Sequence, residues 1–457
     1  MKLTLADIAK LPSVEIINGS VLRKQKVSGV SSDSRLIKPG NLFVALRGEK
    51  FDGHQFVADV TGKGAIALLV DRAWKEEHGG LASSLGAAIA VVPDTMKAFG
   101  MLARIYRNKF RVPILAVGGS NGKTTTKEMI GAVLRSRYNV VSTEGNLNNH
   151  IGVPQMLFRL TPKHDIAVLE FGTNHFGELD ILCGIAAPTH VLITNIGREH
   201  LEFFRDEKGV AKEETTLFRA LRPGGVAFVN GDDERVARAG KKVKRSLTYG
   251  TGPKAQVRGV NVRVNGNGCA EFDLLVKKKR TPVRLSVAGL HNATNALAAA
   301  AVGVKFSVPM KKIVSALEHY TAVSKRTEVI ARNGITILND TYNANPDSVV
   351  AALGTLRSMT VPGKKFVVLA DMLELGERSE HEHAKIGLAV SDMEFEYLLT
   401  YGPLSRFIHE ASKLAFAEHF DTKADLIRAL KSQVGPGDAV LVKGSRGMKM
   451  EEVVEQL

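Results

Sequence analysis

The sequence predicts an α/β protein of three domains. These are a small α/β N-terminal domain, a central P-loop-type, mostly parallel sheet with an added β-hairpin, and a C-terminal doubly wound, Rossmann-like domain. Three observations support this prediction. The chain has 457 residues, and domains average roughly 150 residues. Apolar runs of strand length alternate with helical segments over much of it. A glycine-rich segment joins one such strand to a helix.

The composition is that of an ordinary globular protein. Hydrophobic residues make up 44% and charged residues 24%, which argues against a disordered chain or a disulfide scaffold. The longest apolar runs, residues 64–70 and 297–302, are far shorter than the ~20 residues that cross a bilayer. Asp7 stands where a signal peptide needs unbroken apolar sequence. With only Cys183 and Cys269 as cysteines, we expect a protein of the reducing cytoplasm.

The formal net charge of +15 makes nucleic acid a partner to weigh. The lysines and arginines are scattered, however, and the denser clusters at residues 241–245 and 277–280 lie beside turn-like or alternating sequence, where solvated side chains are usual. Aromatic residues are only 6% of the chain, which leaves little to stack bases on. We therefore expect no nucleic-acid partner, and an anionic small substrate would use the same positive field.

The chain divides into a first domain, a linker and two larger domains. The first part holds short β-like runs separated by glycine and aspartate. A helical pattern at residues 96–106 predicts a linker helix that ends before Pro113, because the residue before proline disfavours helical backbone. The predicted boundaries are 1–85 for the N-terminal domain, 86–111 for the linker helix, 112–322 for the central domain and 323–457 for the C-terminal domain.

Near-continuous apolar runs predict parallel strands that are covered on both faces. In the central domain the pattern changes between about residues 255 and 287. Val260, Val262 and Val264 alternate with polar residues, an Asn-Gly-Asn-Gly turn and then Leu274–Val276 follow, and the stretch predicts an antiparallel hairpin. The predicted parallel strands are residues 114–117, 166–169 and 191–194 in the central domain and 335–338, 366–369, 397–400 and 439–442 in the C-terminal domain.

The strongest chemical motif is the loop at residues 118–127, Gly-Gly-Ser-Asn-Gly-Lys-Thr-Thr-Thr-Lys, which follows a strand and opens a helix. Glycines let backbone N–H groups turn toward phosphate oxygens, and the helix N-terminus adds partial positive charge. Lys123 is placed to reach the β- and γ-phosphates. A standard loop would have glycine where Val117 stands, so the sequence predicts a nucleotide site with a shorter loop. The alternative is a glycine-rich turn with a chance Gly-Lys-Thr.

Polar residues follow the next two strands at the edge where open α/β sheets bind ligands. Glu170 ends one strand, and Asn195, Glu199 and His200 come just after another. Carboxylate and hydroxyl oxygens suit Mg²⁺, so Glu170 with a threonine of the loop is a candidate magnesium site. A lone histidine is more often a packing or surface residue, but this position favours function.

The C-terminal domain has three polar turns after strands, at residues 339–348, 370–376 and 443–451, which predict a binding face at one sheet edge. Each turn could instead serve only as a helix cap. Two amides, Asn292 and Asn295, stand at the start of an alanine-rich helix and could likewise be caps. Residues 381–383, His-Glu-His, are predicted to lie at the surface, since histidines two apart diverge on a helix.

Short blocks spread over nearly the whole chain carry a family resemblance. They are residues 33–35, 40–46 and 52–54, then 145–149 and 152–154, and finally 342–346, 371–376 and 443–446. Together they resemble the Mur ligases, the ATP-dependent amino-acid and peptide ligases of peptidoglycan synthesis. The first group looks like a UDP-sugar-binding domain, the second like the central substrate loop, and the last like the dipeptide-adding member. The ATPase blocks discriminate less, because folylpolyglutamate synthase carries similar ones.

This resemblance implies a ligase that joins D-alanyl-D-alanine to the terminal carboxylate of UDP-MurNAc-tripeptide through an acyl phosphate. ATP and Mg²⁺ are the implied cofactors, and a monomer with no membrane span is expected. The implied ATP-binding residues are Gly119, Ser120, Asn121, Gly122, Lys123, Thr124 and Thr125 at the phosphates, Asn292 and Asn295 at the adenine, Arg326 at the γ-phosphate and Asp340 at the ribose.

The remaining implied roles concern catalysis, metal and substrate. The implied catalytic residues are Lys123, His200 and Arg326. The implied magnesium ligands are Thr124, Glu170, His200 and Glu214. The implied substrate-binding residues are Ser34, Asn148 and Asn149 at the nucleotide sugar, with Tyr342, Asn343 and Asn345.

The chain departs from the family at two positions. The family usually has a carbamylated lysine where this sequence has Glu214, and commonly threonine where it has Gly118. A glutamate is already an anionic carboxylate, but its carboxyl carbon is three bonds closer to the backbone, so it falls short by roughly 3–4 Å. Either the helix sits closer, a water bridges, or a second Mg²⁺ is held weakly. Lys212, two residues away, is expected to face elsewhere, and the change at Gly118 is expected to be mild.

Two rival functions remain open at this level. A folate-type glutamate ligase shares the ATPase blocks but would not need residues 1–85. A nucleic-acid-stimulated P-loop ATPase would use the positive charge and show strong salt dependence. Neither rival explains the C-terminal blocks.

Overall fold

The computed structural model describes residues 3–48 and 51–457. These residues divide into two compact units. The first contains the described residues up to Ala116 together with Asn139–Thr173 and Glu178–Thr189. The second contains Val117–Tyr138, Asn174–Gly177 and His190–Leu457. This division follows packing rather than domain limits, so the domain boundaries drawn from the sequence remain a prediction.

The N-terminal part of the first unit is a five-stranded sheet in the order β1-β5-β4-β3-β2. Only β1 runs antiparallel to its neighbour. Strands β3, β4 and β5 are apolar and almost fully buried, as expected for strands covered on both faces. The elements are α1 (Leu5–Ile8), β1 (Glu15–Ile17), α2 (Ser20–Lys24), β2 (Gly29–Ser31), β3 (Asn41–Val44), α3 (Val57–Gly62), β4 (Ala67–Asp71), α4 (Arg72–Ser84), β5 (Ala88–Val92) and α5 (Thr95–Arg107).

The linker prediction needs a correction at its start. Residues 88–92 were included in the linker helix, but they form β5, which lies between β1 and β4. The helix α5 begins only at Thr95, where the carboxylate of Asp94 accepts a hydrogen bond from the Lys97 N–H at 2.9 Å. The alanine and valine run of β5 fits a short buried strand, which periodicity alone does not separate from a helix.

The middle of the chain supplies strands to both units. In the first unit β7 and β8 pair in parallel, and Tyr106 of α5 donates a hydrogen bond to the Leu160 carbonyl at 2.7 Å, beyond the end of α7. The elements are β6 (Ile114–Gly118), α6 (Lys123–Arg135), β7 (Val140–Ser142), α7 (Gly152–Phe158), β8 (Ile166–Glu170), α8 (Glu178–Ala186), β9 (His190–Ile193), α9 (Leu201–Phe204), α10 (Glu207–Glu214), α11 (Thr216–Arg219), β10 (Val226–Asn230), α12 (Glu234–Gly240), β11 (Ser246–Gly250), β12 (Val257–Val264), β13 (Cys269–Val276), β14 (Lys279–Ala288), α13 (His291–Lys305) and α14 (Met310–Glu318).

In the second unit six of these strands lie side by side in the order β14-β13-β12-β11-β10-β9. Strands β9 to β12 are parallel, and β12, β13 and β14 are antiparallel. The predicted hairpin is therefore confirmed as β12 and β13. The third antiparallel strand was missed, because the lysine-rich sequence at its start was interpreted only as a solvated cluster.

The C-terminal part of the second unit is a six-stranded sheet in the order β15-β16-β20-β17-β18-β19, parallel except for β15. The four predicted strands are its inner four, and the α/β fold class is confirmed. The elements are β15 (Glu328–Arg332), β16 (Ile335–Asp340), α15 (Pro346–Ser358), β17 (Lys365–Ala370), α16 (Ser379–Asp392), β18 (Tyr397–Tyr401), α17 (Arg406–Ser412), β19 (Phe416–Phe420), α18 (Lys423–Gln433), β20 (Ala439–Lys443) and α19 (Glu451–Gln456).

The prediction that residues 381–383 lie at the surface was wrong for two of the three. Glu382 and His383 are buried, and only His381 is exposed. His383 Nδ1 lies 2.6 Å from the Ser379 carbonyl and Nε2 accepts the Met372 N–H at 2.9 Å. An imidazole that accepts at Nε2 is neutral, and burial lowers the pKa of His383 accordingly.

No helix in the described part of the chain combines the length and the apolar character needed to cross a bilayer.

Candidate active site

The phosphate-loop motif lies between β6 and α6, as predicted. Gly119 and Gly122 have φ values of 113° and 76°, a region that favours glycine. A Cβ at Gly119 would collide with Thr194, and one at Gly122 would lie 2.8 Å from Asn295 Oδ1. Both glycines are therefore needed for the backbone conformation and for its close packing.

The loop is fastened to the segment that follows β9. The Ser120 N–H donates to the Asn195 carbonyl and the Asn121 N–H to Asn195 Oδ1, each at 2.9 Å. In the other direction, the Gly197 N–H donates to Ser120 Oγ at 2.8 Å. These bonds give Asn195 a direct part in shaping the phosphate loop.

Lys123 lies across its own loop. Its ammonium group donates to the Gly119 carbonyl, to the Ser120 carbonyl at 3.2 Å and to Glu199 Oε2 at 3.2 Å. The Glu199 side chain is 5% exposed, so this ion pair is largely shielded from water. Glu199 was predicted to lie at this edge, but no role was predicted for it. The ion pair between Glu199 and Lys123 could not be predicted from the sequence.

Glu214 reaches the phosphate loop directly. Its side chain is fully buried, and its Oε2 accepts the Gly119 N–H at 2.7 Å. A Cβ at Gly118 would lie 2.8 Å from this oxygen and 2.5 Å from Leu217 Cδ1. The absence of a side chain at position 118 thus makes room for the carboxylate. Helix α10 thus brings Glu214 into direct contact with the loop, and the three possibilities raised for its reach toward a second Mg²⁺ stay predictions.

Burial is the main cause that raises the pKa of the Glu214 carboxyl group well above its ordinary value. The nearby Glu199 carboxylate raises it further, whereas Lys123 and the Gly119 N–H lower it. Lys212 faces elsewhere, as expected, with its ammonium group 5.4 Å from the centre of the Phe176 ring.

Buried carboxyl oxygens without partners test whether each unit holds groups that suit a cation. Glu170 Oε2, Glu199 Oε1 and Glu214 Oε1 are buried and have no hydrogen-bond partner among the described residues. The other Glu170 oxygen accepts a hydrogen bond from Asn148 at 2.9 Å. Such orphaned carboxyl oxygens fit a hard cation.

The described part of the chain holds no group of three or more His, Cys, Asp or Glu side chains arranged to bind a metal by themselves. This matches the ordinary behaviour of Mg²⁺, which is bound by one or two carboxylates plus phosphate oxygens and waters. Thr124 and Glu170, which were predicted as ligands, are buried. Glu170 belongs to the first unit, and Thr124, His200 and Glu214 belong to the second.

His200 immediately precedes helix α9 and has φ 47° and ψ 40°, a left-handed conformation that is unfavourable for residues other than glycine and that recurs at functional sites. Its Nδ1 is hydrogen-bonded to the Glu374 carboxylate. This bond lowers the pKa of Glu374 and fixes the orientation of the imidazole ring. Glu374 lies in the polar turn predicted at residues 370–376, but no role was predicted for it.

Asn292 and Asn295 are buried at the start of α13 and form a hydrogen-bonded chain. Asn292 donates to the Ala288 carbonyl at 2.7 Å, Asn295 donates to Asn292 at 2.9 Å, and Thr126 donates to Asn295 at 3.0 Å. They brace α13 against the first turn of α6. Their contact with adenine stays a prediction.

Of the residues predicted around ATP in the C-terminal part, Arg326 lies just before β15 and Asp340 ends β16. The Arg326 guanidinium lies 3.7 Å from the centre of the Tyr342 ring, a favourable cation–π distance. Asp340 accepts the Thr327 N–H at 2.9 Å and pairs with the buried Lys443 ammonium at 2.6 Å. The roles of Arg326 at the γ-phosphate and Asp340 at the ribose stay predictions.

The predicted substrate residues also have defined partners. Asn345 caps α15 through the Ser348 N–H at 2.8 Å and donates to Asn121 of the phosphate loop at 2.9 Å. Asn343 Oδ1 accepts the Arg446 N–H at 3.2 Å.

In the first unit, the Ser34 carbonyl accepts a hydrogen bond from Lys63 at 3.2 Å. Asn149 Oδ1 accepts the Gly152 N–H at 2.9 Å, at the start of α7. Asn148 is held by Glu170. Substrate binding by all of these residues remains a prediction.

Comparison with protein families finds three matches along the chain. The "Mur ligase family, catalytic domain" matches residues 26–107, the "Mur ligase middle domain" residues 117–303, and the "Mur ligase, glutamate ligase domain" residues 325–446.

Whole-chain relatives agree with these matches. UDP-N-acetylmuramoyl-tripeptide–D-alanyl-D-alanine ligase of Bacillus subtilis is 35% identical over 100% of this chain and 98% of its own length. The crystal structure of MurF from Acinetobacter baumannii is 30% identical, with a TM-score of 0.90 over 99% of this chain and 98% of that one. MurF of Thermotoga maritima, solved in complex with ADP, is 26% identical, with a TM-score of 0.84 over 94% and 97% of the two chains.

Proposed function

The chain belongs to the Mur ligase family, and from that premise we propose that it is the ATP-dependent UDP-N-acetylmuramoyl-tripeptide–D-alanyl-D-alanine ligase of peptidoglycan synthesis. The whole-length similarity to relatives of that name supports the choice of substrates. The observation that carries the chemistry is the phosphate loop, whose Lys123 ammonium is ringed by loop carbonyls and the buried Glu199. We propose that this loop binds the phosphates of a nucleotide.

The reaction must activate a carboxylate, which does not accept an amine in water because its leaving group would be oxide or hydroxide. We propose that the terminal carboxylate of the tripeptide attacks the γ-phosphorus of ATP, giving an acyl phosphate and ADP. The free amine of D-alanyl-D-alanine then attacks the acyl carbon. A tetrahedral adduct collapses with loss of inorganic phosphate and a proton, leaving the new amide bond.

Phosphoryl transfer depends on positioning and charge neutralisation more than on covalent help from the protein. Lys123 would leave the loop carbonyls and Glu199 to contact the phosphates, since phosphate oxygens are stronger acceptors for an ammonium group than carbonyls are. Arg326, held flat against Tyr342, would place its guanidinium at the γ-phosphate. Both cations would then lie where negative charge develops.

We propose that Thr124, Glu170, His200 and Glu214 hold Mg²⁺, which when bound supplies positive charge to the phosphate oxygens. The orphaned oxygens of Glu170 and Glu214 support this assignment. Glu374 keeps the His200 ring oriented. Ser34, Asn148 and Asn149 would contact the nucleotide sugar, and Tyr342, Asn343 and Asn345 would contact substrate from the C-terminal part. We further propose a monomer that acts in the cytoplasm, where ATP is available.

The test is phosphate release with ATP, Mg²⁺, UDP-MurNAc-tripeptide and D-alanyl-D-alanine, each omitted in turn. We expect release only with the complete mixture, and a pentapeptide product by mass. Parallel reactions with a folate and glutamate, or with DNA over a range of salt, address the two rival functions. Turnover in either of those mixtures, and none in the complete one, would overturn the proposal.

A further inference from the structure

We propose that Arg198 is a positioning residue that links the loop carrying Glu199 and His200 to helices α15 and α16. The side chains of Glu199 and His200 are aligned for reaction only while this link is intact. This inference rests on the proposed function. It concerns a residue that neither the sequence motifs nor the phosphate-loop geometry singled out.

Arg198 makes a dense set of contacts with two acidic residues. Its backbone N–H donates to Asp347 Oδ2 at 2.7 Å, and its Nε and Nη2 donate to Asp347 Oδ1 at 2.9 and 2.6 Å. Its Nη1 donates to Glu382 Oε2 at 2.7 Å. Several charge-assisted bonds from a planar guanidinium fix a geometry, which a single ammonium contact would not do.

The three residues come from separate elements. Arg198 lies between β9 and α9, directly before Glu199, which pairs with Lys123, and two residues before His200, which pairs with Glu374. Asp347 is in the first turn of α15, and Glu382 is in α16. A displacement of either helix therefore moves the backbone that carries two side chains of the proposed site.

The backbone next to Arg198 is packed against the same helix. A Cβ at Gly197 would collide with Asp347 Oδ2, so glycine allows the loop to lie directly against the first turn of α15. The residue that caps α15, Asn345, donates to Asn121 of the phosphate loop at 2.9 Å. The start of α15 thus touches both loops of the proposed nucleotide site.

The electrostatics favour a specific link over an incidental surface pair. The Glu382 side chain is 3% exposed and that of Arg198 25%, so the pair is shielded from solvent far more than the usual exposed ion pair. Lys385 also contacts Glu382, at 3.2 Å, but it comes from the same helix and makes no link between elements. Arg198 is what connects this buried acid to the loop.

The test compares variants of the full-length enzyme. Arg198→Met removes the charged bonds and keeps the length of the side chain. Because it leaves Glu382 with a weaker set of partners, the double variant R198M/E382Q is made as well, to separate misfolding from misalignment. Arg235→Met is the matched control, since Arg235 pairs with Glu207 at 3.1 Å within the second unit but is not adjacent to the proposed site residues.

We expect kcat per nucleotide-binding site to fall about 10- to 100-fold in R198M and in R198M/E382Q, because small misplacements of reacting groups cost up to about 100-fold. The dissociation constant of a non-hydrolysable ATP analogue should stay within about threefold, since the phosphate loop is intact. Hydrogen exchange of the amides at residues 195–200 should quicken in both variants. The R235M enzyme should match the wild type in all three measurements.

Asp347→Asn provides the second arm. If Arg198 acts through Asp347, the double variant R198M/D347N should be no slower than R198M alone, whereas independent effects would multiply. A kcat within twofold of the wild type for R198M/E382Q, or multiplying losses in R198M/D347N, would overturn the inference. Failure of the proposed function is a different result, because the wild-type enzyme would then form no pentapeptide at all.

Discussion

At the scale of single residues, Gly118 and Glu214 stand at the two positions where the sequence was expected to depart from the family pattern. The carboxylate accepts the Gly119 N–H at 2.7 Å only because position 118 has no side chain. We expected glycine in place of threonine at position 118 to have a mild effect. The packing shows that it is coupled to Glu214, which sequence alone could not reveal because the two positions lie on different elements.

Gly118→Thr should therefore displace Glu214 from the loop. Its Cβ would lie 2.8 Å from Glu214 Oε2 and 2.5 Å from Leu217 Cδ1, and such overpacking costs about 1–3 kcal/mol. We expect an equivalent drop in the free energy of unfolding, measured by urea titration, and weaker binding of an ATP analogue. Gly354→Ala is the control, because no atom lies within 4 Å of its added Cβ. Equal stability of G118T and wild type would show that the two positions are not coupled.

Glu214→Gln tests the proposed metal role with little change of shape. The amide oxygen can still accept the Gly119 N–H, but the negative charge is lost. We expect the Mg²⁺ concentration that gives half-maximal phosphate release to rise about tenfold, since removing a ligand charge weakens a carboxylate site. The unfolding midpoint should not fall. An unchanged Mg²⁺ titration would remove Glu214 from the set of ligands.

Much of the proposed site could be predicted residue by residue, and the rest could not for a definable reason. Lys123 and the loop glycines follow from a local motif. The roles proposed for Glu199, Glu374 and Arg198 depend on partners that lie 76, 174 and 149 residues away in the sequence. Such pairings are set by how elements pack, and no local pattern encodes them.

At the scale of elements, the inner strands of the C-terminal sheet were predicted and its two edge strands were not. The inner strands β16, β17, β18 and β20 are continuous apolar runs. The edge strands β15 and β19 have the sequences Glu-Val-Ile-Ala-Arg and Phe-Ala-Glu-His-Phe. Their charged residues suit strands that are partly exposed to solvent. Their mixed composition resembles a loop until a neighbouring strand is known.

Strand β9 begins with His190, whose ring lies 4.9 Å from that of Phe306. Burial first, and then the charges of Lys305 and Arg245, lower its pKa from 6.5 to about 4. The folded pKa is below the unfolded one, so this residue's contribution to stability is complete above pH 6.5 and is lost as the pH falls from 6.5 to about 4.

Replacing His190 by phenylalanine should remove the loss of stability that this residue causes at low pH. We expect the unfolding free energy of H190F, relative to wild type, to rise as the pH falls from 7 to 4, measured by urea titration at each pH. His381→Phe, at an exposed histidine, is the matched control. A difference between H190F and wild type that does not change with pH would contradict the buried, neutral state of this ring.

At the scale of the whole molecule, one chain combines a phosphate loop, buried carboxylates and C-terminal polar turns. Motifs spread over the chain predicted this combination, and the family is now established by similarity over its full length. The net charge of +15 suits the proposed substrates, because ATP and a nucleotide sugar are both polyanions.

The most direct measurement follows the oxygen atoms of the tripeptide. UDP-MurNAc-tripeptide labelled with ¹⁸O in its terminal carboxylate is incubated with ATP, Mg²⁺ and D-alanyl-D-alanine, and the released phosphate is analysed by mass. Activation as an acyl phosphate transfers one labelled oxygen to each phosphate and leaves the other in the new amide. Unlabelled phosphate, formed while the pentapeptide accumulates, would contradict the proposed mechanism.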